Sequence, residues 1–182
     1  MSERRKVIVN LATSADGFIA RPDGDVEWLT SRPKPEGFYG MGDFTKLVDT
    51  KLLGRKTYEK SLRLGGRFDA RSRYLVFSRH APPADIPSGV EFVSDAIGSF
   101  VSRLREQPGK HIWLMGGGEL IASFLDAQAI DEFVITVVPV FIGEGIPLLA
   151  PHYREVPLDL QSVERFEDGV VQLRYRVQQR EL

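Results

Sequence analysis

Three consecutive glycines, Gly116-Gly117-Gly118, stand between the apolar run His111-Ile112-Trp113-Leu114-Met115 and a helical pattern from Glu119 to Ala127. That pattern turns Leu120, Ile121, Phe124 and Leu125 to one face. A buried strand that passes through glycine directly into a helix belongs to an open α/β sheet. In such sheets ligands gather at the carboxyl ends of the strands. The same order recurs earlier, where Lys51-Leu52-Leu53 breaks at Gly54 and a helix starts near Arg55.

The remaining runs extend this alternation. Lys6-Val7-Ile8-Val9-Asn10-Leu11, Tyr74 to Phe77, Val90 to Val93 and Glu132 to Val138 read as strands, and Ile97 to Arg105 as a helix. A helix is also predicted over Asp43 to Thr50, from Phe44, Leu47 and Val48 at helical spacing. Ser162 to Phe166 and Val170 to Val177, joined by Glu167-Asp168-Gly169, read as a closing hairpin. The expected architecture is α/β: a mostly parallel sheet with an antiparallel C-terminal hairpin, in one domain spanning 1–182.

Glycine-rich junctions at helix N-termini suit phosphate, because free N–H groups and a partial positive charge collect there. At Gly54-Arg55-Lys56-Thr57, basic residues in a helical first turn oppose the macrodipole, and an anion partner accounts for them. At Met115-Gly116-Gly117-Gly118-Glu119-Leu120, three glycines cost conformational entropy, and close approach of a ligand to the backbone accounts for that cost. Two such junctions in one small domain suit a dinucleotide pyrophosphate. Ser78-Arg79, after the Tyr74 to Phe77 strand, offers a hydroxyl and a guanidinium for a further phosphate; a polar loop start explains it equally well.

Composition closes other routes. Lys plus Arg number 24 against 25 for Asp plus Glu, which argues against a nucleic-acid or membrane-surface partner. With no cysteine there is no thiolate chemistry, and His80, His111 and His152 share no metal-ligand spacing. No apolar run reaches membrane-span length, so a cytoplasmic protein is expected. Trp28 and Trp113 read as core or pocket wall.

The motifs Gly54 to Glu59, Val76-Phe77-Ser78-Arg79 and Met115 to Gly118 follow the order seen in dihydrofolate reductases. Ser14 to Ala20 and Val138 to Leu148 resemble more closely the reductase domain of riboflavin biosynthesis, the deaminase-reductase C-terminal family. The similarity runs from about Val7 to Val177. It implies a dihydrofolate-reductase-like three-layer fold of about eight strands and NADPH along its carboxyl edge. It also implies hydride transfer to a C=N or C=O carbon of a small pterin- or pyrimidine-like substrate. By the family pattern Arg55, Lys56 and Thr57 take cofactor phosphates, Ser78 and Arg79 lie at the adenosine end, and Gly117 and Gly118 touch the pyrophosphate. Ala12, Asp16, Gly17 and Ile19 lie near the nicotinamide, and Thr136 borders the substrate. A homodimer through the Val137 to Leu149 region is implied too.

The proton that accompanies hydride needs a source. Asp16, Asp43 and Thr136 are the candidate catalytic groups. Asp16 also fits a turn before Gly17, Asp43 an N-cap and Asp49 a C-terminal turn. Arg67 and Arg71 flank the position where folate enzymes carry an arginine, without matching it. A stand-alone reductase of a ribosylamino-pyrimidine phosphate and a ligand-binding module without catalysis are the rival readings.

Overall fold

The β-branched run near the N-terminus becomes the middle of the sheet, because each of its faces meets an apolar layer. The computed structural model describes residues 4–33, 35–69 and 71–178. In chain order they form β1 (Val7–Ser14), β2 (Phe18–Ala20), α1 (Glu27–Thr30), α2 (Met41–Lys46), β3 (Val48–Gly54), α3 (Arg55–Arg63), β4 (Arg73–Phe77) and β5 (Val90–Val93). Then come α4 (Ile97–Glu106), β6 (His111–Gly116), α5 (Gly118–Asp126), β7 (Glu132–Val138), β8 (Ile146–Pro147), β9 (Leu158–Arg165) and β10 (Val171–Val177).

The main sheet has eight strands in the order β5-β4-β3-β6-β1-β7-β10-β9. From β5 to β7 all neighbours are parallel. β10 pairs antiparallel with β7 and with β9, which is the closing hairpin. Period-2 alternation sends Val7 and Val9 to one face, where Leu52, Leu114 and Phe133 meet Val101 and Leu104 of α4 and Ile121 and Phe124 of α5. Phe124 is fully buried, and a side chain of that size stabilises the fold by about 1.5–3 kcal/mol. On the other face Ile8 packs with Phe44 of α2, and Leu53 and Val76 with Tyr58 of α3. Three layers follow from that two-sided burial, as the resemblance implied.

The helix expected over Asp43 to Thr50 is corrected. α2 stops at Lys46, and Val48 to Thr50 open β3, with Val48 opposite His111 and Thr50 opposite Ile112. Helical spacing was outweighed by pairing on two sides: β-branched Val48 and Thr50 fit the pleat, and buried Arg5 donates to Thr50 Oγ1 at 2.7 Å. Asp49, far from ending a helix, ion-pairs with Arg5 and accepts from Lys110 N at 2.7 Å. A two-stranded sheet of β2 and β8 had no forerunner in the sequence reading. Among the described residues no helix is long and apolar enough to cross a membrane.

Candidate functional site

Because β3 and β6 are neighbours, with Leu53 opposite Gly116, the two glycine junctions lie side by side at the carboxyl edge. α3 begins after Gly54 and α5 after Gly117, and neither helix has a side-chain N-cap. The first-turn N–H groups of both helices therefore face the same edge without side-chain acceptors. Lys56 Nζ meets Glu119 Oε1 at 3.1 Å across the gap, both side chains largely exposed.

The three glycines do different work. Gly116 sits at φ +103°, where L side chains are strained. A Cβ on Gly118 would lie 2.4 Å from Pro147 O and 3.2 Å from Leu148 O, so the chain itself requires glycine there. This departs from the expectation that a ligand explains the whole triplet. Gly117 is the residue left for a ligand. Its φ of −75° suits any residue, and a Cβ would find only Thr57 Oγ1, at 3.6 Å. The backbone at Gly117 thus borders an open cradle between two helix N-termini.

The neighbouring strand end joins this edge. Arg55 Nη1 donates to Ala81 O at 2.8 Å and reaches Ser78 Oγ at 3.5 Å, tying the α3 start to the β4 exit. Ser78 Oγ also donates to His80 O at 3.0 Å. Arg79 is exposed, with no side-chain partner among the described residues. Met115 and Leu120 are half-buried beneath the junction.

On the other side of Gly117, β1 and β7 pair Ala12 with Thr136. Thr136 is buried, and its hydroxyl accepts from Gln172 Nε2 at 2.9 Å; the same amide donates to Tyr39 O at 2.9 Å. Tyr39 itself lies in a run of left-handed residues, Gly37 to Gly40, a conformation that non-glycine residues seldom adopt. Its hydroxyl donates to Asp168 Oδ2 at 2.5 Å, and Arg32 donates to the same carboxylate at 3.3 Å. Trp28 packs with Tyr39, Val138 and Ala12, and its buried indole N–H has no partner among the described residues.

The candidate acids fall in different places. Asp16 accepts from Gly143 N at 2.7 Å and Ile142 N at 3.2 Å, so its carboxylate holds the segment after β7. The Ser14 hydroxyl first, and then those N–H groups, keep its carboxyl below its ordinary value against the opposing effect of desolvation. A group held ionised in this way is a poor proton donor near neutrality. Gly17, at φ +87°, makes the turn, and its carbonyl accepts from Leu148 N at 3.1 Å; Ile19 is half-buried in β2. Asp43 sits in the first turn of α2, not at its cap, with its side chain 86% exposed and paired to Lys46 at 2.7 Å. Arg71 is tied to Asp69 at 3.0 Å, and Arg67 is exposed.

Tyr39, Gln172, Asp168 and Arg32 were missed by sequence reasoning. Asp168 carried a signal as a hairpin turn, and the others reach the site across more than a hundred residues of chain. A groove of about 500 Å³ between the end of α5 and residues 153–156 contains none of the site residues.

A model of the RibD C-terminal domain family matches residues 5–172. YwjB of Bacillus subtilis strain 168, an uncharacterized protein, is 38% identical over 171 residues, which cover 94% of this chain and 97% of YwjB. Among solved structures, a Shewanella sp. PV-4 protein named for riboflavin biosynthesis superposes with a TM-score of 0.84 at 28% identity, over 96% of this chain and 99% of its own. A Thermotoga maritima diaminohydroxyphosphoribosylaminopyrimidine deaminase/5-amino-6-(5-phosphoribosylamino)uracil reductase shares the fold, with a TM-score of 0.73 at 22% identity. That likeness covers 96% of this chain and 57% of the Thermotoga protein. With the match running from Arg5 to Gln172, through both glycine junctions and the whole parallel sheet, the chain belongs to the RibD C-terminal domain family.

Proposed function

We propose that this protein is an NADPH-dependent reductase that transfers a hydride to a small pterin- or pyrimidine-like heterocycle. The cradle at Gly117 carries the reading, since two uncapped helix N-termini converge where the chain leaves room for a ligand. Arg55, Lys56, Thr57 and the first-turn N–H groups of α3 and α5 would hold the cofactor phosphates, and Ser78 and Arg79 its adenosine end. Ala12, Gly17 and Ile19 would border the nicotinamide, and Thr136 the substrate. When bound, the cofactor supplies the hydride. The unpartnered Trp28 N–H fits an acceptor on a bound ring. The name of the Thermotoga protein, a uracil reductase, supports a pyrimidine-type substrate. Asp16 is occupied by the 142–143 backbone, so the reading gives proton delivery to a held water. It also takes the protein as a homodimer through residues 137–149, where Phe141 is 79% exposed; light scattering tests the mass.

Ligand-linked melting tests the cofactor. A ligand at a hundred times its Kd adds about 2.7 kcal/mol, which in a domain of this size raises Tm by roughly 5–10 °C. NADPH is expected to do so, and NADH to do less. No shift with either at millimolar concentration refutes the reading. The absence of a committed side-chain acid favours a binding module as the second reading, and NADPH oxidation with any of a panel of small oxidants eliminates it.

A further inference from the structure

On the face of the sheet that α2 and α3 pack against, β1 presents Ile8, Asn10 and Ala12, because its side chains alternate. Ile8 packs with Phe44 and Trp113, and Ala12 with Trp28 and Tyr39. Asn10, between them, belongs to neither cluster. Asparagine is depleted in strands, yet this one lies in the middle of the sheet and is only 6% exposed. Its backbone carbonyl accepts from Trp113 Nε1 at 3.0 Å, but its carboxamide has no hydrogen-bond partner among the described residues. The fully enclosed side-chain atoms without a partner there belong to Trp28, Arg32, Tyr58 and Arg105. Asn10 is not one of them, so the tip of its amide keeps an opening to solvent.

That opening lies two residues, about 7 Å, along β1 from Ala12. Val9 is opposite Leu114, so Asn10 stands beside Met115, which is half-buried on the same face. On the other side Asn10 is opposite Val134, and Ala12 is opposite Thr136. Thr136 brings a second unspent group. The Gln172 nitrogen that donates to its hydroxyl oxygen also donates to Tyr39 O, an atom that can only accept. The polarity of the pair is fixed by that carbonyl, and the Thr136 proton has no acceptor among the described residues. From Ile8 to Ala12, from Val134 to Val138 and at Trp113 and Met115, this floor carries no charged side chain. A buried amide left unpaired weakens a fold, so packing alone does not account for Asn10.

We propose that Asn10 reads the substrate. Resting on the reductase reading, its carboxamide meets a neutral lactam edge of the heterocycle: Nδ2 donates to the ring carbonyl, and Oδ1 accepts from the adjacent ring N–H. A carboxamide offers one donor and one acceptor side by side, which is the complement of such an edge. An ionised ring would find no countercharge on this floor. The substrate class narrows to uncharged rings of lactam type, and rings alkylated at that nitrogen are excluded.

Uracil is a small probe with that edge, and 1,3-dimethyluracil keeps the ring and its carbonyls without the N–H groups. Each is titrated into the full-length ¹⁵N-labelled protein saturated with NADPH. The indole signal of Trp113, one of two tryptophans, is identified by its loss in Trp113→Phe and reports on Asn10 through their hydrogen bond. Saturable movement is expected with uracil, and affinity about tenfold or more weaker with 1,3-dimethyluracil. In Asn10→Leu that preference should vanish. Asn10→Ala, which only shortens the side chain, gives the same reading should leucine not fit. An asparagine that served the fold alone would change both affinities together and keep their ratio. No movement with uracil at millimolar concentration overturns the proposal, as do equal affinities in the wild type or a preference that survives in either variant. The Gly117 backbone signal reports NADPH separately. If it responds and uracil is not preferred, this proposal alone fails; if NADPH leaves it still, the cofactor reading fails, and the same two titrations of the free protein decide the role of Asn10.

Discussion

Gly117 and Gly118 are adjacent, yet a methyl group added to each should have opposite consequences. In Gly118→Ala the Cβ would meet Pro147 O at 2.4 Å, a backbone atom that cannot swing away. Overpacking of this kind costs about 1–3 kcal/mol, which for a domain of this size lowers Tm by roughly 2–12 °C. In Gly117→Ala the nearest atom is Thr57 Oγ1 at 3.6 Å and φ is −75°, so the folded chain accepts the methyl group. Restricting the unfolded chain then adds about 0.4–1 kcal/mol, and Tm holds or rises by up to about 4 °C. The methyl group occupies the cradle, however, and NADPH affinity should fall at least about tenfold, a loss of 1.4 kcal/mol or more. Thermal melts followed by circular dichroism and NADPH titrations by fluorescence measure both quantities in both variants. Wild-type NADPH affinity in Gly117→Ala would remove the cradle, and a wild-type Tm in Gly118→Ala would remove the crowding by residues 147–148.

Arg79→Ala should leave Tm unchanged, because the exposed side chain has no hydrogen-bond or ion-pair partner among the described residues, and should lower NADPH affinity about tenfold or more while sparing NADH. Equal losses for both cofactors would move the 2′-phosphate contact elsewhere. Tyr39→Phe removes the hydroxyl that ties residues 37–40 to Asp168, and Tm should fall by about 2–4 °C. An unchanged Tm would mean that this hydroxyl does not hold the loop. The carboxyls of Asp16, held by the Ser14 hydroxyl, and Asp168, held by the Tyr39 hydroxyl, lie below their ordinary value of 3.8 in the folded state. Their stabilisation is complete at neutral pH and is lost as pH falls below that value through their depressed folded values. Tm should therefore be flat from neutrality into mild acid and then drop, less steeply in Asp168→Asn; an identical acid limb in that variant argues against the contact.

The strands of the main sheet were legible because a strand in a covered parallel sheet is apolar on both faces, as Val7 to Val9 are. The closing hairpin was legible from Asp168-Gly169. Helical spacing at Phe44, Leu47 and Val48 misled, because the pairing of Val48 and Thr50 with β6 depends on a partner more than sixty residues away. β2 and β8 are too short, at three and two residues, to leave a periodic trace. At the candidate site, glycine at each strand-helix junction was legible, but not that the two junctions adjoin or what each glycine is for. Whether a glycine serves a ligand or the chain depends on what its absent Cβ would strike, and at Gly118 that is Pro147, which no local pattern reveals. Asn10 was read only as part of the first strand, since the clusters that leave it uncovered come from α2 and from Trp28 and Tyr39.

That crowding at Gly118 ties the two ends of the site together. The segment after β7 is fixed to the β1–β2 turn by Ala15 N to Val140 O at 2.8 Å, by Asp16 on Ile142 and Gly143, and by Leu148 N to Gly17 O at 3.1 Å. A Cβ on Gly145 would strike Ala20 O at 2.2 Å, so the segment also lies flush against β2. Its far end then closes on the start of α5, with Pro147 and Leu148 over Gly118 and Ala150 N donating to Gly118 O at 3.3 Å. The β1–β2 turn and the N-terminus of α5, which the proposed reading sets at the two ends of a bound dinucleotide, are thus joined by one strap of backbone. A dinucleotide must be met at both ends at a fixed separation, and packed backbone holds that separation more firmly than two independent loops could. Asp16 is better placed to serve this spacing than to donate a proton, and its ionised state is what the two N–H groups of the strap require.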